Sequence, residues 1–264
     1  MWRPDIVDLG QFYQSHLGQV TSRHLTTDIR AFWPNVSGQR VLGIGYATPF
    51  LRPYLDEAER VVALMPANQG VRFWPREGPN RVLLADELEL PLTDQSFERI
   101  LVVHALETSE TVRPFLREIW RVLNAGGSAL FIVPNRRGLW SRAEATPFGH
   151  GHPYSQGQMI RLLRSSMFQS DRVESGLHFP PVGWRPILRA SRVMERVGTR
   201  LWPGFAGVTM IEAQKQIYAA TPIAEPKRRR RRSTARAGVA ASARSEYARE
   251  AQKNAGETPC RLAT

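Results

Sequence analysis

Residues 41–50 read VLGIGYATPF, and the fold turns on how this run is read. Its first half is a continuous apolar strand, the pattern of a strand buried on both faces of a parallel sheet. Its second half is a Gly43-x-Gly45 turn, where a missing Cβ allows a tight bend and the close approach of a ligand. Strand-to-helix loops of this kind hold nucleotide-like ligands in α/β proteins. The short glycine pattern gains its meaning from the segments that lie downstream of it at fixed distances.

Working outward, Arg40–Ile44 is a first strand and Thr48–Leu55 a short helix, with Pro49 in its first turn and Pro53 kinking or shortening it. Upstream, Asp8–Phe32 reads as one helical lead-in with Phe12, Leu17, Val20, Leu25, Ile29 and Phe32 near one face. Downstream, Val61–Met65, Val82–Ala85 and Glu98–Val103 are further strands. Thr111–Leu123 is an amphipathic helix stopped by Asn124-Ala125-Gly126-Gly127, read as a plain turn into a fifth strand, Ser128–Val133. Val173–Phe179 and Val208–Tyr218 are the final strands, with a basic helix between them. Short apolar strands alternating with helices predict a doubly wound, mostly parallel α/β sheet covered on both faces.

The chain has 264 residues, 42% of them apolar, enough for a sizeable core. Its net charge of +12 is uneven: residues 225–264 hold eleven Lys and Arg against four Glu, leaving +5 on the rest. From about Pro222 large apolar residues almost vanish. The expectation is a folded domain over 1–221 and a disordered basic tail over 222–264. The single cysteine, Cys260, rules out an intramolecular disulfide and any site needing several cysteines. No signal pattern opens the sequence and no apolar run is long enough to span a bilayer, so the expected location is the cytoplasm.

Four landmarks in this order resemble the class I S-adenosylmethionine-dependent methyltransferases of the small "type 11" group. They are VLGIGYATP (41–49), ADELELPLTDQSFE (85–98), ILVVHALE (100–107) and EIWRVLNAGG (118–127). The resemblance covers roughly Leu9–Tyr218 and implies a Rossmann-like, seven-stranded sheet. It also implies S-adenosyl-L-methionine as cofactor and direct in-line methyl transfer to an acceptor that the sequence does not identify. By resemblance, Gly43, Gly45, Tyr46 and Ala47 line the methionine moiety. Met65 stands at the ribose position. Asp86 accepts from the adenine amino group, with Glu87 and Leu88 beside it, and His104 lies beneath the methionine end.

Two departures from the family pattern matter. Gly43 stands where the family carries an acid, and Met65, followed by Pro66, stands where an acid takes the ribose hydroxyls. Ala47 and Pro49 replace the later glycines. A charged hydrogen bond is worth roughly 1.5–3 kcal/mol, so losing two weakens binding on the order of a hundredfold or more. A binding or regulatory protein that keeps the fold without efficient cofactor use is therefore the alternative reading.

For the acceptor pocket, the resemblance points to the N-terminal helix and the segment after the fifth strand: Tyr13, His16, Asn135, Arg136, Trp140, His150, His152 and Tyr154. The string FGHGHPYS (148–155) contains His-x-His, but nothing nearby completes a zinc site, so no metal is expected. The helix Ile187–Trp202 places Ile187, Ala190, Val193, Met194, Val197 and Leu201 on one side and five arginines on the other. It reads as a helix packed on the domain, or as one that meets a membrane surface or anionic partner. The run Lys227–Arg232 suits weak contact with nucleic acid or anionic lipid, and a nucleic-acid adaptor is a third reading.

Overall fold

The computed structural model describes residues 4–216; the expected tail, with Lys227–Arg232 and Cys260, lies outside the described residues. Seven strands form one sheet. They are β1 (Arg40–Gly45), β2 (Arg60–Pro66), β3 (Val82–Ala85), β4 (Phe97–Val103), β5 (Leu123–Pro134), β6 (Phe168–Gly176) and β7 (Val208–Lys215), in the order β3-β2-β1-β4-β5-β7-β6. β3 through β5 run parallel, and β7 pairs antiparallel with both β5 and β6. The order reverses beside β1, so the loops after β1 and β4 meet at the switch point where open α/β sheets bind ligands.

Side chains alternate across each central strand. Val41, Leu101, Val103, Leu130 and Ile132 face the side covered by α1 (Ile6–Gln14), α2 (His16–Phe32) and α3 (Thr48–Leu51). Leu42, Ile44, Ile100, Val102, Ala129 and Phe131 face the side covered by α4 (Val112–Val122) and α5 (Gln156–Ser165). Fully buried apolar side chains on both faces are why the central strands read as unbroken hydrophobic runs.

The expected single lead-in helix is two. Asp5 and Asp8 form a capping box that starts α1. Ser15 then ends it, its hydroxyl donating to the Phe12 carbonyl at 2.6 Å and accepting from the Gly18 amide at 3.0 Å. A Cβ at Gly18 would stand 1.9 Å from the Phe12 oxygen, so α2 departs this closely from α1 only through glycine. The break turns Tyr13 into the core. Helix 48–55 is likewise shorter: α3 ends at Leu51 and a 3-10 turn covers Arg52–Tyr54, in keeping with Pro53.

Four further expectations are corrected. Residues 67–81, between β2 and β3, contain no helix. Gly126 and Gly127 lie inside β5, where the pairing with β4 jumps from Phe97↔Leu123 to Arg99↔Ser128. β6 begins five residues earlier than the expected Val173, and a Ser155–Gln158 capping box starts α5, which the pattern did not reveal. Finally, α6 (Arg185–Leu201) buries Leu188, Ser191 and Gly198, while Val193, Val197 and Leu201 are exposed. Helices after β6 and β4 are thus amphipathic alike, but only α4 hides its whole apolar face.

Candidate functional site

The site is built where β1 and β4 end. Gly45 has φ +81, and a Cβ there would stand 2.2 Å from the Val103 carbonyl oxygen. The Tyr46 amide donates to that oxygen at 2.9 Å. Glycine at this point lets two strands finish side by side. Gly43 serves packing instead: a Cβ would stand 2.5 Å from Leu51 Cδ1 and 2.7 Å from Ala47 Cβ. The space beside it, where the family pattern has an acid, belongs to the β1–α3 contact.

Just past β4, His104 has φ +53, a left-handed backbone that costs a non-glycine residue roughly 1 kcal/mol or more. Its ring joins a buried chain of polar groups. Tyr13 Oη lies 2.8 Å from His104 Nε2, and His104 Nδ1 lies 3.1 Å from Glu107 Oε1. The three residues are 7%, 2% and 1% exposed. A carboxylate only accepts, so Nδ1–H donates to Glu107, while Nε2 and the Tyr13 hydroxyl share the second hydrogen bond. Burial pushes the Tyr13 phenol well above its usual range, which keeps it protonated.

Aromatic rings close around this chain. Tyr13 stacks on Tyr46 with centroids 5.2 Å apart, and the buried Phe148 ring lies 4.7 Å from His104. From β2's side, the buried Gln69 amide nitrogen donates to the His104 carbonyl oxygen. Two acceptors here, Gln69 Oε1 and Glu107 Oε2, are buried with no hydrogen-bond partner among the described residues. Such atoms are costly, each roughly 1–3 kcal/mol.

The other end of the edge is open. Asp86 is exposed after β3, and its Oδ1 accepts from the Leu88 amide at 2.9 Å. Glu87 is buried and accepts from the Ser109 hydroxyl at 2.7 Å. Asp86, Glu87 and Leu88 line a cavity of about 320 Å³ together with Pro66, Ala67 and Asn68. Arg121 on α4 fixes the loop beyond them, donating to the Leu90 and Leu92 carbonyls at 2.8 and 2.7 Å and to Glu118 and Asp94. Glu118 in turn accepts from the Leu90 amide, and its pairing with Arg121 holds its pKa below the usual range.

The expected cofactor residues are therefore divided. Tyr46 and Met65 line a separate cavity of about 720 Å³ with Tyr13, Arg52, Arg72 and Trp74. Ala47 is fully buried at the start of α3. In the turn 67–69, Ala67 and Asn68 line the smaller cavity, and the Ala67 amide donates to the Ala85 carbonyl at 2.9 Å.

Of the expected acceptor-pocket residues, Tyr13 is central. Asn135 is a buried clamp, its side-chain nitrogen donating to Gly204 and Ala206 carbonyls at 3.1 and 2.9 Å. Trp140 is also structural, donating to the Phe179 carbonyl at 2.7 Å. Arg136 is exposed and reaches the Pro153 carbonyl at 3.3 Å. His16 is exposed at the start of α2. His150 donates to the Glu144 carbonyl at 2.7 Å, and the His152 amide donates to the Glu107 carbonyl at 2.8 Å. Tyr154 donates to the Leu106 carbonyl at 3.4 Å, and burial pushes its pKa up to about 12. Among the described residues no group of three or more His, Cys, Asp or Glu is arranged to hold a metal ion. Sequence reasoning missed Glu107, Gln69 and Phe148. Glu107 stands three residues after His104, a signal that was present; Gln69 offered none.

Comparison with known proteins agrees with this architecture. Residues 42–131 match the family model described as "Methyltransferase domain". A SAM-dependent methyltransferase, possible histamine N-methyltransferase, from Thermotoga maritima superposes with a TM-score of 0.55 at 17% identity, over 78% of this chain and 94% of that one. A SAM-dependent methyltransferase from Archaeoglobus fulgidus gives 0.54 at 19% identity, over 72% and 93%. The [4+2]-cyclase SpnF gives 0.51 at 18% identity, over 76% and 83%. No curated protein matches the chain in sequence. By sequence, then, residues 42–131 resemble a methyltransferase domain, set in a body that shares the fold of solved SAM-dependent methyltransferases.

Proposed function

We propose that the chain is an S-adenosylmethionine-dependent methyltransferase acting on an acceptor of unassigned chemistry. The observation that carries this reading is the pair of unpartnered buried acceptors, Gln69 Oε1 and Glu107 Oε2, on residues bonded to His104. They fit the cofactor's ammonium group, which brings three donors to the end where Gly43 supplies no acid. At the adenosine end the exposed Asp86 carboxylate faces an open cavity and suits an amino group. When bound, the cofactor supplies an electrophilic methyl sulfonium, so the protein's task is positioning and exclusion of water. Tyr13, Tyr46 and Phe148 provide the apolar walls for that task.

A second reading has its own observation. The place beside Gly43 is filled by Leu51 and Ala47, and Met65 is buried, so neither family acid can be restored without repacking. A protein that keeps the fold for binding or regulation is the outcome if those losses are decisive, since one fold hosts unrelated functions.

Thermal unfolding with and without S-adenosylhomocysteine, backed by calorimetric titration, separates the two. Ligand at about a hundred times its Kd should add roughly 2.7 kcal/mol of stability. The methyltransferase reading expects saturable binding that weakens about tenfold or more in Asp86→Ala. Absence of both a midpoint shift and heat at millimolar ligand would favour the second reading.

A further inference from the structure

α6 presents three faces. The inner face holds Leu188, Ser191 and Gly198, with Met194 packed on the core. It is anchored by His24 Nε2 on Ser191 Oγ at 3.0 Å, and by Glu195, whose carboxylate accepts from the His178 amide and from its Nδ1, each at 2.8 Å. One flank carries Arg185, Arg189, Arg192, Arg196 and Arg200, all exposed. Between the arginines and the anchored face runs a seam of exposed Pro186, Ala190, Val193, Val197 and Leu201. The spacing of four, three, four and four residues lines these up along one side of the helix. Val193 is 59% exposed and Leu201 67%. Large exposed aromatic residues flank the helix at both ends: Trp184 is 66% exposed, Trp202 46% and Phe205 64%.

We propose that this face docks on an anionic lipid surface. Burying the seam accounts for apolar side chains that the fold itself leaves in water. The arginine flank, with α6's one acid held inward by His178, supplies the complementary charge. Exposed Trp and Phe at the ends match the amphipathic rings that settle at a membrane–water interface. Other occupants fit less well. A second copy of α6 would bring two arginine rows together, and a nucleic-acid backbone would leave the apolar seam in water. α6 lies wholly outside the segment that matches the methyltransferase domain. The inference is independent of whether the cleft turns over a cofactor.

The test is flotation of the full chain with vesicles of phosphatidylcholine alone and of equal parts phosphatidylcholine and phosphatidylglycerol. The chain should float with the anionic vesicles only, and less so at high salt. V193D/V197D should abolish flotation at an unchanged unfolding midpoint, since both side chains are exposed. Replacing Arg189 or Arg196 by Gln should weaken partitioning roughly fivefold each. Lack of flotation by the unaltered chain overturns the proposal. So does a V193D/V197D chain that still floats but stops when the six residues from Lys227 to Arg232 are neutralised, because the basic tail then carries the binding. A concentration-dependent dimer that V193D/V197D dissolves, without flotation of either form, assigns the seam to a second copy instead.

Discussion

The two ends of the cleft are built on opposite principles. At the end of β4, Tyr13, His104 and Glu107 are almost wholly buried and paired to one another, and Phe148 and Gln69 cover them. Past the end of β3, Asp86 stands in solvent beside an open cavity, its side chain bonded within its own turn to the Leu88 amide. A group in a sealed polar chain contributes to folding and to binding together, because removing it strands its neighbours. An exposed carboxylate touches little in the folded chain and can be changed with consequences for ligand alone. The contrast teaches which mutations report on function and which mostly report on stability.

The strongest way to break the sealed end is His104→Ala. It leaves the Tyr13 hydroxyl and a Glu107 oxygen buried without partners, so urea unfolding should show a loss of about 3 kcal/mol. Asp86→Ala, by comparison, should stay within about 0.5 kcal/mol of the parent. A similar loss at both positions would dissolve the distinction.

Glu107→Gln sharpens it. The amide keeps an oxygen for His104 Nδ1 but removes the charge, so affinity for S-adenosylhomocysteine should drop about tenfold in calorimetry. Stability should stay within about 1 kcal/mol of the parent, since the buried charge is gone but the new amide nitrogen takes the same unpartnered place. Gln69→Ala frees the His104 carbonyl and opens the cover. The expectation is a stability loss of about 1 kcal/mol and an affinity loss of roughly tenfold, since its Oε1 is one of the two acceptors offered to the ammonium group.

The smallest effect lies in the pH profile. Burial raises the Tyr13 pKa, so its contribution is whole below about pH 10 and lost as pH climbs toward the folded value. Tyr13→Phe should flatten that alkaline arm in pH-dependent unfolding. A control sits outside the cleft, beneath α6. Burial, with Glu195 and Glu174 nearby, pushes Asp28 up to about 7. That contribution is present below about pH 4 and fades as pH rises through about 7. Asp28→Asn should remove this lower arm and leave the alkaline one untouched.

Much of this was legible in the sequence. VLGIGYATPF announced a buried strand and a tight turn, since continuous apolar runs and glycine are local signals. The strands at 82–85 and 97–103 and the helix before Leu123 followed from periodicity and stop residues. Asp86 was singled out because it sits in a local motif. Gln69 was not, because residues 67–81 have no regular pattern and its role comes from reaching the carbonyl of a residue 35 positions away. The faces of α6 escaped the pattern for a related reason. Ile187, Ala190, Val193, Met194, Val197 and Leu201 span an arc of about 120°, no wider than an ordinary buried stripe, but the bonds of His24 and His178 turn inward a face offset from it.

Short-range chemistry, then, determined the elements: apolar runs became strands, Asp5 and Ser155 capped helices, and Gly45 made the turn. Tertiary structure alone decided the site. Tyr13 meets His104 across 91 residues of chain, and the Ser15 break that aims it inward became visible only once α2 had packed beside α1. Backbone preferences act over a turn or a strand. Buried hydrogen bonds form between whichever groups the packed sheet and helices bring within about 3 Å, and that proximity is a property of the fold.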